Sequence, residues 1–319
     1  MSAFFRPNAT ALISGGASGV GFAMAKLCRS YGMHIALIDY NTSNLQAAQD
    51  ALHSSPGSRD GTVETYQFDV GDLQAWKSIL PKFQSSFESL DLLMLNAGTS
   101  VKPSTAQPYE DVEYFQKTLN TNMYGVINGL SVFLPVLQVG AKKTQQGKGT
   151  HGIIITGSKQ GITNPPGAYN PAYNMSKSAL KTLAEHLAHD LNTPNNPSYS
   201  PDISVHLLIP GWTYTGLSGN SGPTPSKEVL EKKNPGAWLP EQVAEYAERK
   251  MKEGKFYIVC PDNDVSEALD KARMEWAMGD VVYGRPALSR WDGEWEKEAA
   301  EGIKKRAEEL KGLPEHSRS

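Results

Sequence analysis

Ser158, Tyr173 and Lys177 bring a hydroxyl, a phenol and an ammonium into an order suited to proton exchange with an alcohol or carbonyl oxygen. Tyr173 and Lys177 are four positions apart, so on a helix they stand one turn apart on a single face. A neighbouring ammonium favours a phenolate, and should draw Tyr173 below the ordinary phenol value of about 10. Such a tyrosine trades protons near neutrality. Upstream, Ser14-Gly15-Gly16-Ala17-Ser18-Gly19-Val20-Gly21 lies between a strand-like and a helix-like run. Glycines there let the backbone turn sharply and approach a pyrophosphate, while a helix N-terminus supplies amide donors. A proton-exchange group behind a dinucleotide loop predicts hydride transfer.

Asp39 ends the second strand-like run, eighteen positions after Gly21. A carboxylate there accepts hydrogen bonds from the adenosine ribose and repels a 2′-phosphate. It equally suits a turn opening toward Asn41. Tyr40 and Asn41 offer no cation for a phosphate, so NAD is expected in preference to NADP.

Those residues need a frame, and the apolar pattern supplies one. Strands are predicted over residues 9–14, 34–39, 63–70, 91–95, 152–156, 203–209 and 256–260. Helices are predicted over 18–31, 43–53, 73–87, 112–137 and 173–191. This alternation implies an α/β fold, a doubly wound Rossmann-type parallel sheet of about seven strands flanked by helices. Residues 1–262 are expected to form one dinucleotide-binding and catalytic domain, with a substrate lid at about 213–240. Residues 141–150 read as a polar loop, and 263–319 as a C-terminal helical extension with a charged helix over 294–311. Trp276, Tyr283, Trp291 and Trp295 give that extension something to pack with.

The net charge of −3 across 319 residues offers nucleic acid no electrostatic footprint. No stretch of about 18 uninterrupted apolar residues suggests a membrane span, and no secretory signal pattern is read at the N-terminus. Two distant cysteines, Cys28 and Cys260, make no disulfide framework, and both are expected to be buried and inert. A cytoplasmic protein is the expectation.

In these motifs the chain resembles the short-chain dehydrogenase/reductase family, of its classical subgroup, over residues 9–260. The glycine spacing is similar to TGxxxGxG, with Ser14 in place of threonine. Asp69-Val70 resembles the pair that contacts adenine, and Asn96-Ala97-Gly98 the NAG motif after the fourth strand. Asn122 resembles the family's proton-relay asparagine; Ser158, Tyr173 and Lys177 resemble its catalytic set. Pro210 through Thr215, with Gly211, Thr213 and Thr215 as the matching positions, resembles the segment that contacts the nicotinamide. The resemblance implies that Tyr173 exchanges the proton, Ser158 holds the substrate oxygen, Lys177 binds the nicotinamide ribose, and Asn122 holds a relay water. It also implies a homodimer or homotetramer, paired through the long helices around residues 112–137 and 173–191. The chain departs from the family in three places. Ser158 and Tyr173 are fifteen apart, Thr213 replaces an aliphatic residue, and Tyr169 is followed four positions on by Tyr173 instead of lysine.

Tyr169, Trp212, Tyr214 and Trp238 could wall an apolar pocket, although Trp238 suits a core equally well. The expected partner is a small alcohol or ketone, hydrophobic or cyclic. The alternatives are a non-catalytic dinucleotide sensor or scaffold on the same fold, and a sugar-nucleotide epimerase or dehydratase. The complete Asn-Ser-Tyr-Lys set weighs against the first, and the glycine spacing against the second.

Overall fold

The computed structural model describes residues 3–54, 61–144, 150–167, 169–218, 222–223, 230–231 and 233–311. Parts of the expected loop at 141–150, of the lid at 213–240 and of the C-terminal tail lie outside these described residues. Seven parallel strands form one sheet: β1 (Thr10–Ser14), β2 (His34–Asp39), β3 (Val63–Gln67), β4 (Leu92–Leu95), β5 (His151–Thr156), β6 (Ile203–Ile209) and β7 (Tyr257–Val259). Their order is β3-β2-β1-β4-β5-β6-β7. β1 pairs with β2 on one side and β4 on the other, so the winding reverses between β1 and β4. In doubly wound sheets a crevice opens at that reversal, beyond the carboxyl ends of the strands. The glycine loop leaves β1 and the Asn-Ala-Gly segment leaves β4 at this point.

Strands buried on both faces need no alternation, which explains runs such as LLML in β4 and HGIIIT in β5. Helices α1 (Gly19–Ser30) and α2 (Thr42–His53) pack one face of the sheet; α3 (Leu73–Ser86) packs the other. Val112–Leu119 forms α4 and Gly125–Thr144 forms α5, joined by one π-helical turn over Asn120–Tyr124. The single amphipathic stretch expected over 112–137 is therefore two helices, and α5 runs to Thr144 where a loop was expected to have begun. The apolar character of α5 is that of a core helix: Val126, Leu130, Phe133 and Leu137 are buried in the layer that includes α3 and β5. By length and composition alone, Val112–Lys143 is sufficient to cross a membrane, which the sequence reading did not anticipate.

A short helix, α6 (Gln160–Thr163), precedes α7 (Pro171–Asn192). The sequence reading placed no helix at α8 (Pro240–Lys252), which packs on α1 with Val243, Ala244, Ala247 and Met251 buried. Strand β3 stops at Gln67, earlier than the predicted residue 70, because Asp69 accepts from Gly71 N at 2.8 Å and turns the chain.

The C-terminal extension consists of α9 (Glu267–Tyr283) and α10 (Glu296–Leu310), which enclose a small core of Ala272, Ile303 and Ala307. It rests on the sheet-bearing part of the chain. Trp291 Nε1 donates to Asn164 O at 2.8 Å, and Tyr246 donates to Glu267 at 3.0 Å.

Candidate active site

The cradle at the end of β1 is built from contacts too close for side chains. Gly15 sits at φ 62°, and a Cβ there would lie 2.8 Å from Ala97 Cα. At Gly21 a Cβ would lie 2.2 Å from Gly15 O, so α1 can approach the loop only with glycine. Gly19 is at φ 53° and faces the Thr215 methyl at 3.1 Å from its Cβ position, so the segment after β6 folds down onto the glycine loop. Ser18 begins α1 without capping it through its side chain, and the first-turn amides, with Val20 among them, face the loop as an anion-binding end. A pyrophosphate fits this cradle of bare backbone, so these residues suit a dinucleotide.

Ser14 and Asn96 weld the loop to the neighbouring strands. Ser14 Oγ accepts from Asn96 N at 3.0 Å and from Ala97 N at 3.2 Å. Asn96 Nδ2 returns bonds to the carbonyls of Ser14 and Gly15, each at 3.3 Å, while its Oδ1 accepts from Thr156 at 3.1 Å. The asparagine is thus a bracket across β1, β4 and β5. Gly98 follows, where a Cβ would lie 3.5 Å from both Asn122 Oδ1 and Lys177 Nζ.

Asp39 does two things at the end of β2. Its Oδ2 accepts from Ala17 N at 3.3 Å inside the glycine loop, and its Oδ1 accepts from Asn41 N at 3.1 Å. Burial pushes its carboxyl above the usual range, opposed by those backbone donors. The turn role and a place beside the cofactor loop are both real in this geometry. Val70 is buried, and its carbonyl accepts from Trp76 and Asn128 at 2.8 and 3.1 Å. Asp69 is exposed and bonds its own turn.

The four candidate catalytic residues converge from three elements. Asn170 caps α7 by accepting from Tyr173 N at 3.1 Å, and Pro171 occupies the first turn, where its missing N–H costs nothing. The Tyr114 hydroxyl braces that cap, accepting from Ala172 N at 3.1 Å. The Tyr173 backbone is thereby fixed, and Ser158 lies near enough to its phenol to pull the pKa down against burial. Lys177, one turn on, is 4 % exposed and donates to Thr156 O at 2.8 Å. Its ammonium lies 5.8 Å from the Tyr173 ring centre. Asn122 sits in the π turn and is fully buried. Its Oδ1 accepts from Thr99 N at 2.7 Å and its Nδ2 donates to Thr99 O and Ser176 Oγ, both at 3.0 Å. Single π turns are frequent at functional sites because they re-aim side chains.

One electrostatic expectation is corrected here. Burial raises the Tyr173 phenol above its ordinary value, and the Ser158 hydrogen bond only partly offsets that. Lys177 does not draw it down, because burial also lowers the lysine, to about 8, and its proton is directed at a backbone carbonyl. Two buried groups each favour their neutral forms.

The aromatic candidates do not form one wall. Trp238 packs on the core with its ring 5.7 Å from Tyr246, and it pairs with Thr213 in a β-bridge. Its backbone accepts from Tyr214 N at 2.9 Å and donates to Trp212 O at 2.8 Å. Trp212 and Tyr169 are exposed, and Tyr169 lies edge-on to Trp291 of the extension at 6.2 Å. Cys28 and Cys260 are buried, and burial pushes the Cys260 thiol up to about 12.

Sequence reasoning missed Lys159, the residue after Ser158. Its ammonium bridges Asp262 at 3.3 Å and Asp270 at 2.5 Å, all three being nearly buried. Asp262 also accepts from Trp212 N at 3.1 Å. A Cβ at Gly211 would lie 2.6 Å from the Lys159 ammonium and 2.7 Å from Asp262. Glycine after Pro210 is therefore what lets this ion pair cross the turn. The triad ties the serine loop, the 210–215 segment and the extension together. Its only local signal was a lysine beside the candidate serine.

A family model described as short chain dehydrogenase matches residues 9–226. Among curated proteins, the chain is 28 % identical over 252 residues to 3-dehydrosphinganine reductase TSC10A of Arabidopsis thaliana, covering 78 % of this chain and 70 % of that protein. It is 25 % identical over 222 residues to a fatty acyl-CoA reductase of Acinetobacter baylyi, covering 67 % and 70 %. Among solved structures, a short chain dehydrogenase/reductase from Burkholderia phymatum in complex with NAD superposes with a TM-score of 0.69 at 24 % identity, over 89 % of this chain and 97 % of that one. An alcohol dehydrogenase from Thermococcus sibiricus complexed with 5-hydroxy-NADP gives a TM-score of 0.59 at 23 % identity, over 76 % and 90 %. The chain, with its glycine cradle at the winding reversal and its match over residues 9–226, belongs to the short-chain dehydrogenase/reductase family.

Proposed function

We propose that this protein is an NAD-dependent oxidoreductase that interconverts a secondary alcohol and a ketone on a hydrophobic or cyclic small molecule. The observation that carries the reading is the convergence of the buried Tyr173 phenol with the buried Lys177 ammonium, 5.8 Å from its ring centre and one helical turn on, with Ser158 on the phenol side. Nicotinamide, when bound, supplies the hydride acceptor or donor.

The residues of the chain supply the rest. Ser158 Oγ and the Tyr173 hydroxyl together define a seat for one substrate oxygen, an orientation effect that removes much of the entropy cost of reaction. Tyr173 gives up or takes the proton at that oxygen. Its raised affinity for the proton favours the phenol as the resting form, which suits donation to a nascent alkoxide during ketone reduction. Lys177 would turn from Thr156 O toward the cofactor ribose, and there its charge lies beside the phenol. Asn122, locked by Thr99 and Ser176, presents its carbonyl oxygen next to Lys177 across Gly98, where a relay of protons to solvent would begin.

NAD is favoured over NADP because Asp39 places a carboxylate at the end of β2, followed by Tyr40 and Asn41 with no cation. The solved relatives carry both kinds, NAD in that of Burkholderia phymatum and 5-hydroxy-NADP in that of Thermococcus sibiricus, so the preference rests on Asp39. The reductases of 3-dehydrosphinganine and fatty acyl-CoA among its relatives support an apolar substrate. Exposed Val112, Tyr124, Ile127, Val139 and Met175 lie on α4, the π turn, α5 and α7, the helices proposed to pair in a homodimer or homotetramer. A cytoplasmic location is proposed with it, consistent with two free buried cysteines.

The test is a panel of cyclic and long-chain secondary alcohols with NAD, and the matching ketones with NADH, read by nicotinamide absorbance. Turnover by the parent that Tyr173→Phe and Ser158→Ala both lose supports the reading. Undiminished turnover in both variants would refute it.

A further inference from the structure

The extension holds a cavity of about 500 Å³, lying between α9, α10 and the Pro166 turn. Its lining includes the apolar Leu269, Ile303 and Ala307 and the basic Arg273, Arg290 and Lys304.

The arginines are what call for an occupant. Arg290 Nη1 is buried and makes no hydrogen bond. The Asp280 carboxylate is taken up by Arg285 at 2.8 Å and by Ser289 at 2.6 Å instead. Arg273 makes no hydrogen bond or ion pair among the described residues, and the nearby Asp270 is already held by Lys159. The two guanidiniums repel one another: burial first, and then the charge of Arg273, lower the Arg290 pKa. Of the acids lining the cavity, Glu308 is paired with Lys311, and Glu296 is exposed. Four basic against two acidic side chains leave the lining with a net positive charge. A guanidinium nitrogen buried without a partner is costly, and a bidentate oxyanion is the group that satisfies it best.

We propose that this cavity binds an anionic amphiphile, with a carboxylate or phosphate head between Arg273 and Arg290 and an apolar body along Leu269 and Ile303. The site is separate from the hydride-transfer residues and does not depend on the reaction proposed for them. Its volume falls within the roughly 300–1,000 Å³ of small-molecule sites. The head would sit beside Trp291, whose indole holds Asn164 in the loop between Ser158 and Tyr173. Carboxylate and phosphate share the chemistry, so both heads enter the test.

Octanoate, octyl phosphate, 1-octanol and inorganic phosphate are titrated into the full-length protein by calorimetry, and thermal unfolding is recorded with each. At least one anionic amphiphile should bind about tenfold or more tightly than 1-octanol, about 1.4 kcal/mol, and raise Tm, since its head makes a charge-assisted pair that the alcohol cannot. Which of the two wins identifies the head. Arg290→Met removes an unpartnered charge, so its ligand-free Tm should equal or exceed that of the parent while anion binding weakens about tenfold. Arg273→Gln removes a side chain with no hydrogen bond or ion pair among the described residues, so as the second variant it should weaken binding without unfolding the protein. The proposal is overturned if the anions bind no better than 1-octanol, or if both variants keep the parent affinity.

Discussion

The Lys177 ammonium donates to the Thr156 carbonyl at 2.8 Å, which anchors the residue beside Ser158 and Tyr173 to the end of β5. Buried there, it titrates at about 8, so its charge fades as pH rises through that value. A neutral lysine is a poorer donor to ribose hydroxyls and no longer attracts a dianionic pyrophosphate. NADH affinity should therefore fall as pH rises from about 7 to about 9. Lys177→Met should bind more weakly throughout and lose that pH dependence, as fluorescence titration would show. A parent affinity that is flat across this range would contradict the assignment.

Asp39 both bonds Ala17 N and closes its own turn. Asp39→Ala should therefore cost stability, about 1–3 kcal/mol for two backbone donors left without their acceptor. The diagnostic quantity is the ratio of NADH to NADPH affinity, which a general loss of stability leaves unchanged. It should fall about tenfold or more in the variant as the repulsion of a 2′-phosphate is removed. An unchanged ratio would reduce Asp39 to a turn residue.

Gly15 is at positive φ and within 2.8 Å of Ala97 Cα from its Cβ position. Gly15→Ala adds a left-handed backbone cost of about 1–2 kcal/mol to a clash with backbone. Thermal unfolding should show a lower Tm, and dinucleotide binding should be lost beyond what the stability change explains. Gly167 shares a positive φ but nothing lies within 4 Å of its Cβ position. Gly167→Ala should show the backbone cost alone and keep the parent affinity.

Asp270 is the carboxylate that answers to pH. Burial raises it to about 6, against the pull of Lys159 and Arg273 and with the charge of Asp262 adding to the rise. A carboxyl raised from 3.8 favours folding while protonated, and that contribution is lost as pH rises from about 4 to about 6. The stability of the parent minus that of Asp270→Asn should thus shrink across this window, by at most about 3 kcal/mol, and stay level above it. Chemical denaturation at several pH values measures it. A difference that grows with pH would show that the ionised form is the one favoured in the fold.

What the chain revealed in advance follows the range of each interaction. The glycine loop is a local signal, complete within a few residues, and was legible; the Asn170-Pro171 start of α7 is as local, but the predicted helix began two residues late, at 173. The parallel sheet followed from alternation, since parallel strands require covering helices, whereas the order of its strands did not. The π turn at Asn120–Tyr124 was hidden because one inserted residue leaves the apolar periodicity nearly intact on either side. Helix α8 was readable from Val243, Ala244, Ala247 and Met251, but the Ser-, Gly- and Pro-rich stretch before it masked its start. Lys159 and Asp262 are 103 residues apart and meet only in the folded chain, so no window of sequence could pair them. The direction of the Tyr173 shift failed for a related reason. Spacing places a lysine near the phenol, but only burial decides which charge survives.

The central claim is that Tyr173 carries the proton for a hydride transfer. The most direct test measures NADH binding and steady-state turnover on the best ketone of the panel, for the parent and for Tyr173→Phe. The phenylalanine variant should fold, bind NADH within a few-fold of the parent, and lose about 10²–10⁴ in kcat. A variant that keeps the parent kcat, or a parent that binds neither NADH nor NADPH, would contradict it.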